Sequence, residues 1–129
     1  MIINGKTESE EGFMELKVAS YNIQSGRTNE SVSRRNYDFS LETITKINPD
    51  IIGLNEVGRH ATAGFPVLEM NLEPTEYLAE NLGMCGCFGK SIEIGGHGYG
   101  NAILSKYPIA SAKTVIIPDA VPSENDRYL

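Results

Sequence analysis

The sequence predicts an α/β fold in which a mixed β-sheet is flanked by helices. Two observations predict it. Leu16–Ile23 and Asp50–Val57 are short and mostly apolar, as expected of strands that are covered on both faces, and a helical pattern separates them. The second half of the chain then changes to strand-like segments joined by a glycine-rich turn. A parallel pair followed by a hairpin gives a mixed sheet.

The first unit along the chain is a strand, a helix and a second strand. Arg27–Arg35 is polar and is interpreted as a loop. After it, apolar residues recur at three- and four-residue steps, which is the period of an amphipathic helix. These residues are Tyr37, Leu41, Ile44 and Ile47. Pro49 cannot continue the helix, and the two flanking strands are expected to run parallel with a right-handed crossover.

The second half of the chain predicts one more helix and then strands. Thr75–Leu82 has its apolar residues on one side, and Gly83 occupies the position of a helix C′ residue. The glycine-rich turn joins Cys85–Ile94 to Tyr99–Lys106, which indicates a hairpin. A further strand is predicted over Ile109–Ile117.

The length of 129 residues indicates a single domain behind a short leader. Residues 1–14 are interpreted as an irregular polar leader, and residues 15–129 as the domain. No apolar run approaches the roughly 20 residues of a membrane span. The opening segment contains glutamates and no hydrophobic stretch, so a cytoplasmic location is expected.

The formal net charge of −6 argues against strong binding of DNA by surface charge alone. It does not argue against phosphate substrates, because a divalent cation held by carboxylates supplies positive charge locally.

Cys85 and Cys87 are the only cysteines in the chain. A disulfide between residues two apart would be strained. With His97 or His60 the two thiols would offer ligands for zinc, although the spacing is not that of a zinc finger. The alternative is that they are two small residues in or near a strand, and we favour it.

Two polar residues stand at the carboxyl ends of the otherwise apolar first two strands. Alternation places Asn22 on the face of Val18, and Glu56 on the face of Leu54. If both apolar residues face the core, both polar groups lie at its rim, where parallel sheets bind ligands. A hard cation would offset the cost of a carboxylate in this position. The alternative is a solvent-exposed Glu56 and an Asn22 that caps a turn.

Three segments together resemble motifs of the endonuclease/exonuclease/phosphatase family. Val18–Gln24 is similar to the opening motif of that family. Pro49–Val57 resembles the second motif, with Asn55 where glutamine is more usual, and Tyr99–Ile109 resembles the strand and turn that follow. Three motifs in the right order make a specific match. The resemblance implies half of a four-layer α/β sandwich of the DNase I-like type.

The resemblance also implies roles for four residues. Glu56 and Asn22 would be catalytic and would hold Mg²⁺, with Mn²⁺ as the alternative ion. Asn101 would lie near the substrate. Arg127 would face a phosphate, although an ordinary surface arginine is the alternative. The implied substrates are phosphate esters in nucleic acids, nucleotides, lipids or inositol phosphates.

The other catalytic motifs of the family have no counterpart in this chain. These are a histidine in the following strand, an Asp–Asn pair in a Gly-Asp-Phe-Asn motif and a C-terminal Asp–His pair. The chain is therefore expected to be an N-terminal half that ends before the rest of the site, and to be inactive alone. Each missing group would lower the rate by a factor on the order of 10² to 10⁴. The alternative is a non-catalytic fragment or binding module that pairs with another chain, or with itself, through an exposed apolar sheet face.

Overall fold

One mixed β-sheet dominates the computed structural model, which describes residues 1–9, 12–26, 37–58, 73–94 and 96–115, and only the backbone of residues 2–13. Its strands are β1 (Ile2–Ser9), β2 (Gly12–Asn22), β3 (Ile51–Gly58), β4 (Cys85–Ile94) and β5 (His97–Ser105). In the sheet they stand in the order β1-β2-β3-β5-β4. The β2–β3 pair is parallel and the β4–β5 pair is an antiparallel hairpin, as the sequence predicts. The β1–β2 and β3–β5 pairs, which the sequence pattern does not predict, are also antiparallel.

The two helices begin and end close to where the sequence pattern places them. Helix α1 covers Asp38–Ile47 and ends at Asn48, which has a φ of 48° and donates its N–H to the carbonyl oxygen of Ile44. Helix α2 covers Pro74–Leu82. Gly83, predicted as the residue that follows the helix, has a φ of 63°, a left-handed conformation that glycine adopts without a steric penalty. No helix in the described part of the chain is long and apolar enough to cross a membrane.

The core lies between the helices and one face of the sheet. Ile44 of α1 and Leu78 of α2 are fully buried against alternate residues of β2, β3 and β5. The buried apolar residues of these strands are Ala19, Ile52, Leu54, Val57, Ala102 and Leu104, and Ile23, which directly follows β2, is buried with them. We call the opposite side of the sheet the open face. By the strand register it presents Val18, Ser20 and Asn22 of β2, Ile51, Gly53 and Asn55 of β3, and Asn101 and Ile103 of β5.

Asp50 connects three strands at the end of the sheet where β3 begins. Its Oδ2 accepts a hydrogen bond from the backbone N–H of Lys17 at 2.8 Å, and its Oδ1 accepts one from Nζ of Lys106 at 3.1 Å. The N–H of Lys17, followed by the Lys106 ammonium, holds the pKa of the Asp50 carboxyl below its usual range.

The structure corrects two expectations about strands. The leader over residues 1–14 is not irregular, because β1 pairs with β2 along its whole length. Backbone pairing of this kind does not depend on apolar side chains, so polar composition was a poor guide. The division of the chain at residue 14 stays a prediction. The second correction concerns Ile109–Ile117, of which residues 109–115 form no strand and the last two residues lie outside the described part.

Candidate functional site

A bulge in β3 turns two adjacent polar side chains toward the open face. The register between β3 and β5 shifts between Leu54 and Val57, so that Asn55 and Glu56 together oppose the single residue Asn101. Leu54 and Val57 are both 1% exposed and belong to the core. Two core residues three positions apart require one extra residue between them, because regular strands return to the same face every second residue.

The bulge places Glu56 in an uncommon backbone conformation. Its φ of 56° lies in the left-handed region, where a β-carbon crowds the backbone. Two hydrogen bonds from the chain that follows β2 hold this region in place. The hydroxyl of Ser25 donates to the carbonyl oxygen of Glu56 at 3.0 Å, and the N–H of Ile23 donates to that of Asn55 at 3.1 Å. Such strain persists where the surrounding contacts determine the backbone.

The structure brings Asn22 and Glu56 into direct contact. Nδ2 of Asn22 donates to Oε1 of Glu56 at 2.9 Å, and Oδ1 of Asn22 accepts the backbone N–H of Gln24 at 2.9 Å. The amide of Asn22 is therefore held at both ends and fixes the position of the carboxylate. The site lies at the carboxyl ends of the parallel strands β2 and β3, as the sequence predicts.

The face assigned to Glu56 by regular alternation is wrong, however. Asn22 pairs with Asn55 across β2 and β3, so a regular strand would turn Glu56 into the core beside Leu54. The bulge reverses this direction and brings Glu56 to the side of Asn22. Without the bulge the two predicted site residues would not meet.

A chain of side-chain hydrogen bonds joins Asn101 to the same site. Nδ2 of Asn55 donates to Oδ1 of Asn101 at 3.2 Å, and the hydroxyl of Ser20 donates to Oδ1 of Asn55 at 3.4 Å. Sequence reasoning assigned no role to Asn55, Ser20 or Ser25. Strand alternation was a usable signal for Ser20, because it precedes Asn22 by two residues and shares its face.

The donor set of this site suits a hard divalent cation. Glu56 is half-buried, and within the described ranges only Oε1 of its carboxylate has a hydrogen-bond partner. The same part of the chain contains no group of three or more histidine, cysteine, aspartate or glutamate side chains that could hold a metal ion. Mg²⁺ takes one or two carboxylates and completes its shell with other oxygen ligands and water, so one carboxylate among amides fits it.

Zinc binding at Cys85 and Cys87 with His97 is contradicted. His97 opens β5 opposite Ile94, at the other end of the hairpin from the cysteines. From Cys87 to Ile94 the strand extends by roughly 20 Å, which no zinc site spans. His60, the other candidate ligand, and Arg127, the other candidate phosphate contact, lie outside the described residues.

Comparison with known proteins gives a consistent assignment. A sequence model of the Endonuclease/Exonuclease/phosphatase family matches residues 19–124. Among solved structures, the chain is similar to the endonuclease/exonuclease/phosphatase from Beutenbergia cavernae DSM 12333, with 22% identity and a TM-score of 0.57 over 80% of this chain and 28% of that one. It is also similar to an endonuclease/exonuclease/phosphatase family protein from Leptotrichia buccalis C-1013-b, with 16% identity and a TM-score of 0.55 over 78% of this chain and 42% of that one. No curated protein matches the chain.

The two structural similarities confirm the predicted fold, a mixed sheet with flanking helices of the DNase I-like type. The chain spans less than half the length of either solved protein. The family model covers most of the chain and includes Asn22, Glu56 and Asn101. The chain therefore belongs to the endonuclease/exonuclease/phosphatase family.

Proposed function

We propose that this chain carries the metal-binding part of a Mg²⁺-dependent hydrolase of phosphate esters. One observation carries the proposal. The 2.9 Å hydrogen bond from Asn22 to Glu56 fixes a carboxylate at the carboxyl ends of two neighbouring parallel strands. This is the edge at which α/β sheets bind ligands. Membership of the family supports the reaction class.

Each residue of the site has a separate part in the proposal. Glu56 binds the cation through the carboxylate oxygen that Asn22 leaves free, and Asn22 prevents the carboxylate from turning away. Asn101, on the other side of the bulge, contacts the phosphate, and Arg127 is a further candidate contact. When bound, Mg²⁺ or Mn²⁺ supplies Lewis-acid polarisation of the phosphate.

The proposal includes a half-site that does not turn over substrate alone. The described side chains that meet at the bulge provide one carboxylate, two hydroxyls and three amides, and no imidazole is among them. If Glu56 is engaged with the cation, no second carboxylate from the described part of the chain stands beside it to activate water. Loss of a positioned general base lowers a rate by a factor on the order of 10² to 10⁴.

Metal binding by the purified chain tests the proposal. We expect one Mn²⁺ per chain in a titration followed by electron paramagnetic resonance, with Mg²⁺ competing for the same site. Glu56→Gln should weaken binding at least tenfold, since within the described ranges it removes the one carboxylate that this site contains. Glu80→Gln is the matched control, because Glu80 is exposed on α2 and undergoes the same change of charge. Equal binding by all three proteins would refute the proposal.

An activity assay separates the half-site from a complete one. The chain alone should not hydrolyse bis(p-nitrophenyl) phosphate above background with Mg²⁺ or Mn²⁺. If the chain does turn over this substrate and Glu56→Gln abolishes the activity, the proposed metal site stands and the proposed inactivity of the chain is refuted. The proposed substrates are phosphate esters of the nucleic acid, nucleotide, lipid or inositol phosphate classes, and the charge of −6 favours those other than DNA.

A binding module that pairs with a second copy of itself is the other candidate function. The open face favours it, because Ile103 of β5 is 47% exposed on a sheet face that neither described helix covers. An apolar side chain in this position is a usual feature of an association surface.

The two free cysteines, of which Cys85 is exposed, fit the reducing environment of the cytoplasm, which remains the proposed location.

A further inference from the structure

The side-chain amides on the open face are connected in one direction. Asn55 donates through Nδ2 to Oδ1 of Asn101, and its own Oδ1 accepts the hydroxyl of Ser20. Asn101 therefore uses its oxygen inside the site and keeps its Nδ2 for other contacts. In the described part of the chain, no acceptor is paired with that nitrogen. The arrangement fixes which end of the Asn101 amide is available.

An amide with a free NH₂ group at this place is suited to an anion. Asn101 is half-buried, so its two N–H donors are only partly solvated. Leaving a buried donor without an acceptor is costly. Asn101 also stands opposite Glu56 across the bulge, so an oxygen of a phosphate bound by a cation at Glu56 would lie on the same face as these donors. Donors that are already oriented stabilise such an anion without reorganisation.

We propose that Asn55 is a positioning residue that holds Asn101 with its NH₂ group toward the phosphate. This inference rests on the proposed function, because it takes the phosphate to be bound by a cation at Glu56. Asn55 is exposed, and its partner in the strand pairing is Asn22 and not a core residue. Packing in the core therefore does not explain why an amide side chain stands at position 55. Without the donor at position 55, the Asn101 amide is free to rotate and present its oxygen, which repels phosphate.

Two substitutions separate this role from a structural one. Asn55→Leu keeps a neutral side chain of similar size and removes both hydrogen-bonding groups. Asn55→Gln restores the amide, so it should rescue what Asn55→Leu loses if the donor is what matters. Because position 55 is exposed, both variants should fold, which circular dichroism would check.

The measurement is binding of inorganic phosphate to the Mg²⁺-loaded chain by isothermal titration calorimetry, beside the Mn²⁺ titration. We expect Asn55→Leu to weaken phosphate binding about tenfold, which corresponds to one charge-assisted hydrogen bond, and to leave the Mn²⁺ affinity within about twofold. Asn55→Gln should stay within about threefold of the wild type for both. The side-chain NH₂ resonances of Asn101, identified by their loss in Asn101→Ser, should shift with phosphate in the wild type and not in Asn55→Leu.

The outcomes distinguish this inference from the proposed function. Unchanged phosphate affinity in Asn55→Leu, no phosphate binding by the wild type, or loss of Mn²⁺ together with phosphate in Asn55→Leu would each overturn the positioning role. Persistent Mn²⁺ binding in Glu56→Gln would instead overturn the proposed metal site. The two failures are therefore read from different variants and different ligands.

Discussion

The positive φ at Glu56 predicts an unusual order of stability for two small substitutions. For a residue with a β-carbon, the left-handed conformation costs roughly 1–2 kcal/mol. Glycine avoids this penalty, but its greater freedom in the unfolded chain costs about 0.5–1 kcal/mol relative to alanine. Glu56→Gly should therefore be more stable than Glu56→Ala by about 0.5–1 kcal/mol. Both variants lose the hydrogen bond from Asn22, so the difference between their free energies of unfolding reports the effect of the backbone conformation alone.

Ser20 supplies the control, because it is exposed in the regular part of β2 and does not have a positive φ. At this position alanine should be the more stable choice, so the free energy of unfolding of Ser20→Ala should be about 0.5–1 kcal/mol larger than that of Ser20→Gly. Urea unfolding followed by circular dichroism gives the free energies of unfolding of the four variants. The comparison requires that the variants have the same m-value, because a change in m indicates a change in the compactness of the folded or unfolded state. If alanine were the more stable choice at both positions, the bulge would carry no backbone strain and the reasoning would be refuted.

Two further predictions concern the Asp50 carboxylate and the open face. The folded-state pKa of Asp50 lies below its ordinary value of 3.8, so the stability it contributes is present above that pH and is lost as the pH falls through the lower folded value. The urea midpoints of the wild type and Asp50→Asn should thus differ at neutral pH, and the difference should shrink as the pH falls below 3.8; a constant difference would contradict this assignment. If the open face mediates self-association, light scattering after size exclusion should show a concentration-dependent dimer that Ile103→Lys abolishes. Phe39→Lys, on an exposed position of α1, should leave that dimer intact, and a monomer at all concentrations would exclude self-association.

The elements with a clear period could be predicted from the sequence. The β2–β3 pair, both helices and the β4–β5 hairpin have apolar residues spaced as their structures require, and Gly83 indicates the end of α2. Strand β1 could not be found in this way, since its pairing with β2 is made by backbone groups. The segment after β5 has an apolar strand pattern but no pairing over residues 109–115, because a pattern of side chains does not supply a neighbouring strand.

The meeting of Asn22 and Glu56 at one edge of the sheet could be predicted in part, and their roles in a site stay a prediction. Asn22 and Glu56 could be located, because polar residues at the carboxyl ends of buried strands are conspicuous in the sequence. The direction of Glu56 and the contribution of Asn55 could not be obtained from alternation, since both depend on the bulge. The spacing of Leu54 and Val57 was an available signal, because apolar residues three apart depart from the period of two.

The local sequence Leu54–Val57 explains why the bulge forms although it strains the backbone. Regular pairing would turn Glu56 into the core and Val57 out of it. An ionised carboxylate without a partner in the core costs several kcal/mol, and exposure of a valine costs about 1.5–3 kcal/mol. The left-handed conformation at Glu56 costs only roughly 1–2 kcal/mol. Since the strain is smaller than the two penalties it avoids, two polar residues between two apolar ones favour the bulge, and the bulge brings the carboxylate to Asn22.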